Sequence, residues 1–229
     1  MDFAFLGATM ARLLAALPMT LQLTALSLLC GGILALLLSG LRATGRLGAG
    51  FVSFYVFCFR GSPLLVQIFL IYYGLGQFPA VRHSILWPIL REPYACALIA
   101  LALNEAAYTT EILRGGLRAV PRGAVEAARV CGMSRTLALR RVVLPLAIRQ
   151  ALPAYGNEII SMCKSTSLAS IVTLLEVTGT ARAIISETYR TIEVFLCAAA
   201  IYLVLTFLLS RLVWLLERWL NPHRAKATT

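Results

Sequence analysis

The chain of 229 residues is too apolar for a soluble protein of its length. Hydrophobic residues make up 59% of it and charged residues only 14%, whereas soluble domains are usually about 45–50% apolar and about 25% charged. The net charge of +11 does not indicate a nucleic-acid binder, because the basic residues fall in loops between apolar stretches. Soluble enzymes are excluded as well, and the composition predicts an all-α membrane protein with several spanning helices.

The first half of the chain contains three candidate spans, each of which needs about 20 mostly apolar residues. The first covers 13–38; it is longer than the apolar part of a signal peptide and follows no basic segment, so we interpret it as a retained span. A short interfacial helix is expected over 51–59. Pro63 suits a first helical turn and begins a second span that ends near residue 76. The third span is expected over 94–113.

The second half of the chain contains two further candidate spans, which brings the expected total to five. The fourth, 142–170, is poor by hydropathy alone because it carries prolines and charged residues. We expect kinks at Pro145 and Pro153 that open this helix. The fifth covers 194–216, and the preceding stretch 171–193 is expected to be a connection outside the membrane.

Basic residues are concentrated in connections that an odd number of spans places on one side of the membrane. Seven arginines follow the third span, against a single acidic residue, Glu126. The connection after the first span and the C-terminal tail, with Arg224 and Lys226, are basic too. The connection 77–93 has only two arginines, and 171–193 has two arginines against three glutamates. This distribution predicts that the N-terminus faces out and the C-terminus in, with membrane lipid as a secondary partner for the positive charge.

The long connection between the third and fourth spans predicts a short helix outside the membrane. Pro121 can start it, alanines propagate it and Gly132 can end it. Ala127 and Ala128 keep the helix surface thin, and Glu126 offers charge at its flank. A helix of this kind is suited to insertion in a groove of a partner protein.

This connection carries a resemblance to a known family. The string EAARVCGMSRTLALRRVVLP, from Glu126 to Pro145, fits EAA-x3-G-x9-[IV]-x-L-P, the signature loop of membrane subunits of binding-protein-dependent ABC importers. The strings RGSPLLVQ (60–67), LNEAAYTTEILRGGLRAVP (103–121) and LPAYGNEIISMCKSTSLAS (152–170) are similar to polar amino-acid permeases. The chain most resembles the M-type subunit of the histidine/lysine/arginine/ornithine and octopine/nopaline group.

The resemblance implies a single transmembrane domain over 1–229, with the type I ABC importer permease fold, in the bacterial inner membrane. The implied partners are a homologous second permease subunit in a heterodimer, two ATP-binding subunits and a periplasmic amino-acid-binding protein. The resemblance also implies that the loop helix is the coupling helix that docks on the ATPase, through Glu126, Ala127, Ala128 and Gly132.

The chain itself has no GxxxxGK[ST] phosphate loop. ATP and Mg are therefore expected on the partner ATPase subunits, no cofactor is expected on this chain, and the chain is not expected to be an enzyme. Its six cysteines are scattered and both histidines stand alone, so no metal site is expected.

Two expected spans carry polar stripes, although an ionised side chain at the bilayer centre costs about 2.5–3.5 kcal/mol on insertion scales. On the third span one face carries Asn104, Tyr108 and Glu111, which are spaced at i, i+4 and i+7. Glu105 is rotated off this face. On the fourth span the polar face consists of Glu158, Ser161, Met162 and Ser165. Two such stripes can converge on one hydrated site.

We predict a substrate site formed by Glu158, Asn104, Tyr108, Ser161 and Met162. Glu158 would meet the cationic end of an amino acid, and Asn104 and Tyr108 would lend hydrogen bonds. In the alternative, Glu158 pairs with Lys164 or Arg149, or packs against the second permease subunit. Glu111 is expected to pair with Arg114 or Arg118, and we interpret Arg60-Gly61-Ser62-Pro63 as a structural turn rather than a substrate contact.

Together these observations favour a permease subunit of an ATP-driven importer for polar amino acids, with basic amino acids or opines favoured by the resemblance alone. Two other functions stay open. An ion-gradient-driven secondary amino-acid transporter is weakened by the lack of an internal repeat. A non-transporting membrane assembly subunit would not need the polar stripes.

Overall fold

The computed structural model of the protein describes residues 2–220, and all regular structure in this range is helical. The basic tail residues Arg224 and Lys226 lie outside the described residues. The α-helices, in chain order, are α1 (Phe3–Ala43), α2 (Arg46–Gly61), α3 (Leu64–Phe69), α4 (Pro79–Arg82), α5 (Trp87–Leu90), α6 (Pro93–Arg118), α7 (Arg122–Val130), α8 (Arg135–Ala138), α9 (Leu144–Ser165), α10 (Val177–Thr188) and α11 (Thr191–Leu220). The π segments are Leu70–Gly74 and Leu139–Val143, and the 3₁₀ segments are Leu75–Gln77 and Thr166–Val172.

Three of these helices, α1, α6 and α11, are each long and apolar enough to cross a membrane. Two further candidates are bent pairs: Arg46–Gly61 meets Leu64–Gln77 at 102°, and Arg135–Val172 meets Val177–Thr188 at 45°. The helices therefore allow three spans, or up to five if each bent pair is one span. The all-α prediction is confirmed, and the expected number of five is the upper figure.

The helix expected over 51–59 is longer than predicted, since α2 begins at Arg46 and ends at Gly61. Pro63 lies one residue outside α3, as its N-cap, with extended backbone at ψ 134°. Ser62, the residue before it, is extended too, at ψ 145°, because proline disfavours a helical conformation in the residue it follows. The two helices therefore meet at a sharp elbow.

The stretch 171–193 is not simply a connection, because it contains the helix α10. Its apolar residues Val177, Ala181 and Ile184 recur at i, i+4 and i+7 and are buried, as a helix with one core-facing side requires. Polar residues on its other side lower the average hydropathy, which is why the sequence pattern missed it.

The fourth expected span changes its helical form near one of the two prolines. The π segment Leu139–Val143 comes directly before α9, and Pro145 lies in the first turn of α9. Pro153 is inside α9. The 45° bend lies after Val172, where the run ends and α10 follows.

Helix α6 is central and packs against α1 on one side and α9 on the other. Its buried positions are mostly small, which allows close approach of neighbouring helices. α6 approaches α9 closely at Gly116, where a Cβ atom would lie 2.6 Å from the Ala147 carbonyl oxygen and 2.8 Å from the Ala151 Cβ. Only glycine fits there, and this contact fixes the spacing between the two helices that carry the polar stripes.

Ion pairs join the helices at both ends of the bundle. At the end where α6 leads to α7, which we call the α7 end, Glu111 accepts a hydrogen bond from Arg42 of α1 at 2.8 Å and pairs with Arg114. The pairing with Arg114 was one of the two expected.

At the opposite end, Arg12 of α1 pairs with Glu187 of α10 at 2.8 Å, and Arg190 pairs with Asp2 at 3.4 Å. Asp2 also caps α1, because its side chain accepts a hydrogen bond from the backbone N–H of Phe5. This bond lowers the pKa of the Asp2 carboxyl.

Candidate functional site

The two polar stripes face one another across a chamber of about 400 Å³ between α6 and α9, here called the polar chamber. All five residues of the predicted substrate site line it: Asn104, Tyr108, Glu158, Ser161 and Met162. Ser165, from the same stripe, and Leu168 complete this side. The volume lies within the range of about 300–1,000 Å³ that is usual for small-molecule sites.

The elbow between α2 and α3 forms the remaining wall of the polar chamber, with residues 60–64 in the lining. The string Arg60-Gly61-Ser62-Pro63 makes the expected turn, but it also reaches the site, which the sequence interpretation did not favour. A signal was present in the sequence. Arginine inside an apolar segment is costly, so it usually faces a cavity or a partner.

Side-chain amides hold the elbow against α6. The Gln67 side-chain nitrogen donates to the Phe59 carbonyl at 2.8 Å and to the Ser62 hydroxyl at 2.9 Å. The Asn104 nitrogen donates to the Gln67 side-chain oxygen at 3.1 Å and to the Phe59 carbonyl at 3.3 Å. Asn104 therefore uses its donor group on the protein, and its Oδ1 is the atom left to serve a ligand.

The polar chamber holds one acidic and one basic residue, Glu158 and Arg60, and their opposite charges attract. The guanidinium of Arg60 lies over the ring of Tyr108, with its Cζ 5.0 Å from the ring centroid. No ion pair joins Glu158 to Lys164 within residues 2–220. A site with both charges suits a ligand that is itself both cationic and anionic.

Glu105 lies behind the chamber rather than in its wall, as its rotation off the polar face predicted. Its side chain is fully buried and packs against Gly31 of α1. Its Oε1 accepts a hydrogen bond from the Thr109 hydroxyl at 2.6 Å, and its carboxyl also interacts with that of Glu158. Glu105 is therefore a neighbour of Glu158 that the face assignment alone did not reveal.

A second chamber of about 390 Å³ lies nearer the α7 end, here called the α7-end chamber. Arg60 and Tyr108 line this chamber as well. Its other lining residues come from α6 and α9: Glu111, Ile112, Gly115, Gly116, Gln150, Ala151 and Ala154. Glu111 is thus placed outside the polar chamber, as its omission from the predicted substrate residues requires.

The predicted loop helix is present as α7. Pro121 is its N-cap, and Gly132, two residues after its end, has φ +76°, a left-handed conformation that favours glycine. Glu126 and Ala127 are exposed. Ala128 is not: it is 4% exposed, on the side of α7 that packs against α8 and the π segment after it. The small side chain of Ala128 therefore packs within the chain, and the predicted docking role of the four coupling residues stays a prediction.

The family model described as a binding-protein-dependent transport system inner membrane component matches residues 6–222 of the chain. Three similar proteins are transport permeases. An octopine transport system permease protein of Rhizobium meliloti is 56% identical over 98% of this chain and 92% of its own. A nopaline permease protein of Agrobacterium fabrum is 53% identical over 97% and 93%, and an arginine ABC transporter permease protein of Escherichia coli is 47% identical over 72% and 73%.

A solved structure agrees with these relatives. A chain of an amino acid ABC transporter, crystallised with histidines, matches with a TM-score of 0.85 and 37% identity, over 95% of this chain and 98% of the other. The type I ABC permease fold is thereby shown. The two alternative functions, a secondary transporter and a non-transporting assembly subunit, do not agree with these comparisons. The chain belongs to the family of binding-protein-dependent inner membrane transport components, as a multi-pass permease subunit of an ABC importer and not an enzyme.

Proposed function

We propose that the chain carries cationic amino acids or opines across the inner membrane and holds them in the polar chamber during passage. The relatives are named for octopine, nopaline and arginine, and arginine has both a cationic side chain and a carboxylate. The observation that carries the proposal is that Glu158 and Arg60 line the same chamber between α6 and α9. Two opposite charges in a small polar space match this class of ligand.

In this proposal Glu158 meets the cationic end of the substrate. A charge-assisted hydrogen bond of this kind is stronger than a neutral one. Tyr108 and Ser161 supply hydroxyls, the Oδ1 of Asn104 accepts one hydrogen bond, and Met162 packs against the apolar stem of the ligand.

We also propose how the chain is placed in its assembly. Each bent helix pair makes one span, so that 1–229 forms a single five-span domain with the N-terminus out and the C-terminus in. The arginines of 114–141 support this orientation, because basic connections stay in the cytoplasm, where anionic lipid also attracts them.

On the cytoplasmic side, two ATP-binding subunits carry ATP and Mg, and this chain binds no cofactor. The ATP-binding subunits bind α7, whose exposed residues lie beyond the spans. A homologous second permease subunit completes a heterodimer, and a periplasmic amino-acid-binding protein delivers the substrate. The similarity of this chain to an octopine transport system permease protein supports these partners.

The substitution Glu158→Gln tests the substrate site. It removes the charge and keeps the shape, so we expect arginine uptake by the complete complex in proteoliposomes to fall by about tenfold or more. The control is Glu187→Gln, at an exposed glutamate of α10 that does not line the chamber, which should leave uptake near wild type. Co-purification of the ATPase subunits checks assembly. Uptake kinetics unchanged in Glu158→Gln would remove Glu158 from the site.

A further inference from the structure

Arg60 and Tyr108 belong to both chambers. Each residue lines the polar chamber and the α7-end chamber, and the guanidinium of Arg60 lies on the Tyr108 ring at 5.0 Å. The stacked pair therefore stands at the boundary between two spaces of about 400 and 390 Å³.

The order of residues along the helices shows what this boundary separates. On α6, Asn104 lines the polar chamber, and Gly115, closer to α7, lines the other. On α9, which runs the opposite way, Ser161 lines the polar chamber and Gln150 the α7-end chamber. The stacked pair therefore lies between the polar chamber and the α7 end.

The guanidinium of Arg60 lacks an acceptor. Within residues 2–220 it forms no hydrogen bond or ion pair, and its contacts are the face of Tyr108 and the field of Glu158. A guanidinium offers five N–H donors in a planar fork that matches a carboxylate. The free donors in the wall of a polar chamber point to an anionic group on the ligand.

The backbone at Arg60 is held while its side chain is not. The carbonyl of Phe59, the preceding residue, accepts hydrogen bonds from Gln67 and Asn104, which fix the end of α2 to α3 and α6. The head of Arg60 can thus leave Tyr108 by side-chain rotation alone, without movement of the elbow.

We propose that Arg60 and Tyr108 form a latch between the two chambers, and that a carboxylate in the polar chamber releases it. The carboxylate takes the donors of Arg60 and draws the guanidinium off the ring, which opens the way to the α7-end chamber. This inference rests on the proposed function, since it assigns the cationic end of the same ligand to Glu158. It makes Arg60 a residue that distinguishes amino acids and opines from simple amines.

Binding measurements test the carboxylate contact. We expect Arg60→Gln to lower the affinity of the complete complex for L-arginine by about tenfold or more, because a charge-assisted bidentate contact is lost. The affinity for agmatine, which is arginine without its carboxylate, should not change. The control Arg12→Gln alters an exposed arginine of α1 at the end of the bundle opposite the α7 end. It should leave both affinities unchanged. A loss of the same size for both ligands would overturn the assignment.

Leakage measurements test the latch. Proteoliposomes with the complete complex are loaded with radiolabelled agmatine, which has no carboxylate to release the latch, and are kept without ATP. Tyr108→Leu removes the ring and should raise leakage several-fold, as should Arg60→Gln. Tyr108→Phe keeps the ring under the guanidinium, so it should remain as tight as wild type. Equal leakage in Tyr108→Leu, Arg60→Gln and wild type would overturn the latch.

The two proposals fail in different ways. If Glu158→Gln leaves the affinities for both arginine and agmatine unchanged, the polar chamber is not the substrate site and the carboxylate contact falls with it. If Glu158→Gln weakens both ligands but Arg60→Gln weakens neither, the substrate site stands and the role of Arg60 is overturned. Retention of the ATPase subunits shows that each variant is assembled.

Discussion

A buried carboxylate, Glu176, holds the start of α10. Glu176 is fully buried, and its two oxygens accept hydrogen bonds at 2.8 Å from the backbone N–H groups of Thr178 and Gly179. The hydroxyl of Tyr202 donates to it at 2.9 Å. A carboxylate in this place satisfies free donors of the first helical turn and complements the helix dipole. One residue thus joins α10 to α11.

Glu176→Ala should lower the free energy of unfolding by about 1–3 kcal/mol. The change removes the cap and takes away the carboxylate acceptor of the partly buried Tyr202 hydroxyl, which keeps only its contact with the Thr178 hydroxyl. SDS-induced unfolding of the purified chain measures the loss. Glu187→Ala, at an exposed position of the same helix, is the control and should cost less than about 1 kcal/mol. An equal loss for both variants would show that Glu176 is not a structural cap.

At the scale of the element, α7 presents a small apolar surface to water. Val130 is 89% exposed and Ala127 is exposed beside it, whereas Ala128 packs inward on the chain itself. A short helix with exposed small and apolar side chains suits a groove on a partner. The surface proposed to meet the ATPase is therefore that of Ala127 and Val130.

Ala127→Asp and Val130→Asp should each weaken retention of the ATPase subunits by about tenfold or more, because a charge would be buried in the contact. Pull-down of the ATP-binding subunits with the tagged permease measures this. Gly123→Ala lies on the same helix with open space around it and should keep the subunits. Full retention in both aspartate variants would show that this face of α7 does not dock.

Sequence patterns predicted those features of the fold that depend only on residues close together in the chain. Pro121 and Gly132 mark the limits of α7 because their backbone preferences act within a few residues. The i, i+4 spacing placed Asn104 and Tyr108 on one face because helix geometry alone fixes it. The packing of Ala128 could not be predicted, since it depends on how the loop folds back on α8.

The candidate site likewise contains residues that the sequence predicted and one that it did not. The stripes of α6 and α9 followed from the sequence, but the place of Arg60 did not. Arg60 reaches the polar chamber because the chain turns by 102° between Arg46–Gly61 and Leu64–Gln77. A hydrogen bond from Asn104, remote in sequence, holds that elbow. Such a contact is tertiary and leaves no periodic signal.

At the scale of the whole molecule, the proposed orientation places α7 in the cytoplasm and α10 near the outer surface. Two positions report on it. Cys131, directly after α7, is exposed, and Ser186 of α10 is exposed as well. Cys30 is exposed too, but it lies within the apolar α1, where the bilayer keeps an aqueous reagent away.

A membrane-impermeant maleimide should label Cys131 in inside-out vesicles and not in intact cells that express the chain without its partners. Cys131→Ser should abolish that signal. Ser186→Cys, made in the Cys131→Ser chain, should give the reverse pattern because α10 faces out. Labelling of Cys131 from the outside would contradict the orientation.

The ion pairs at the two ends differ in how strongly dissolved ions weaken them. The side chains of Arg12 and Glu187 are 50% and 55% exposed, and those of Arg190 and Asp2 are 42% and 52% exposed, whereas Glu111 is 15% exposed. Screening acts mainly on water-facing charges. A rise in ionic strength therefore weakens the contact of α1 with α10 before it weakens the contact of α1 with α6. High salt thus destabilises the end of the bundle that contains α10 more than the α7 end.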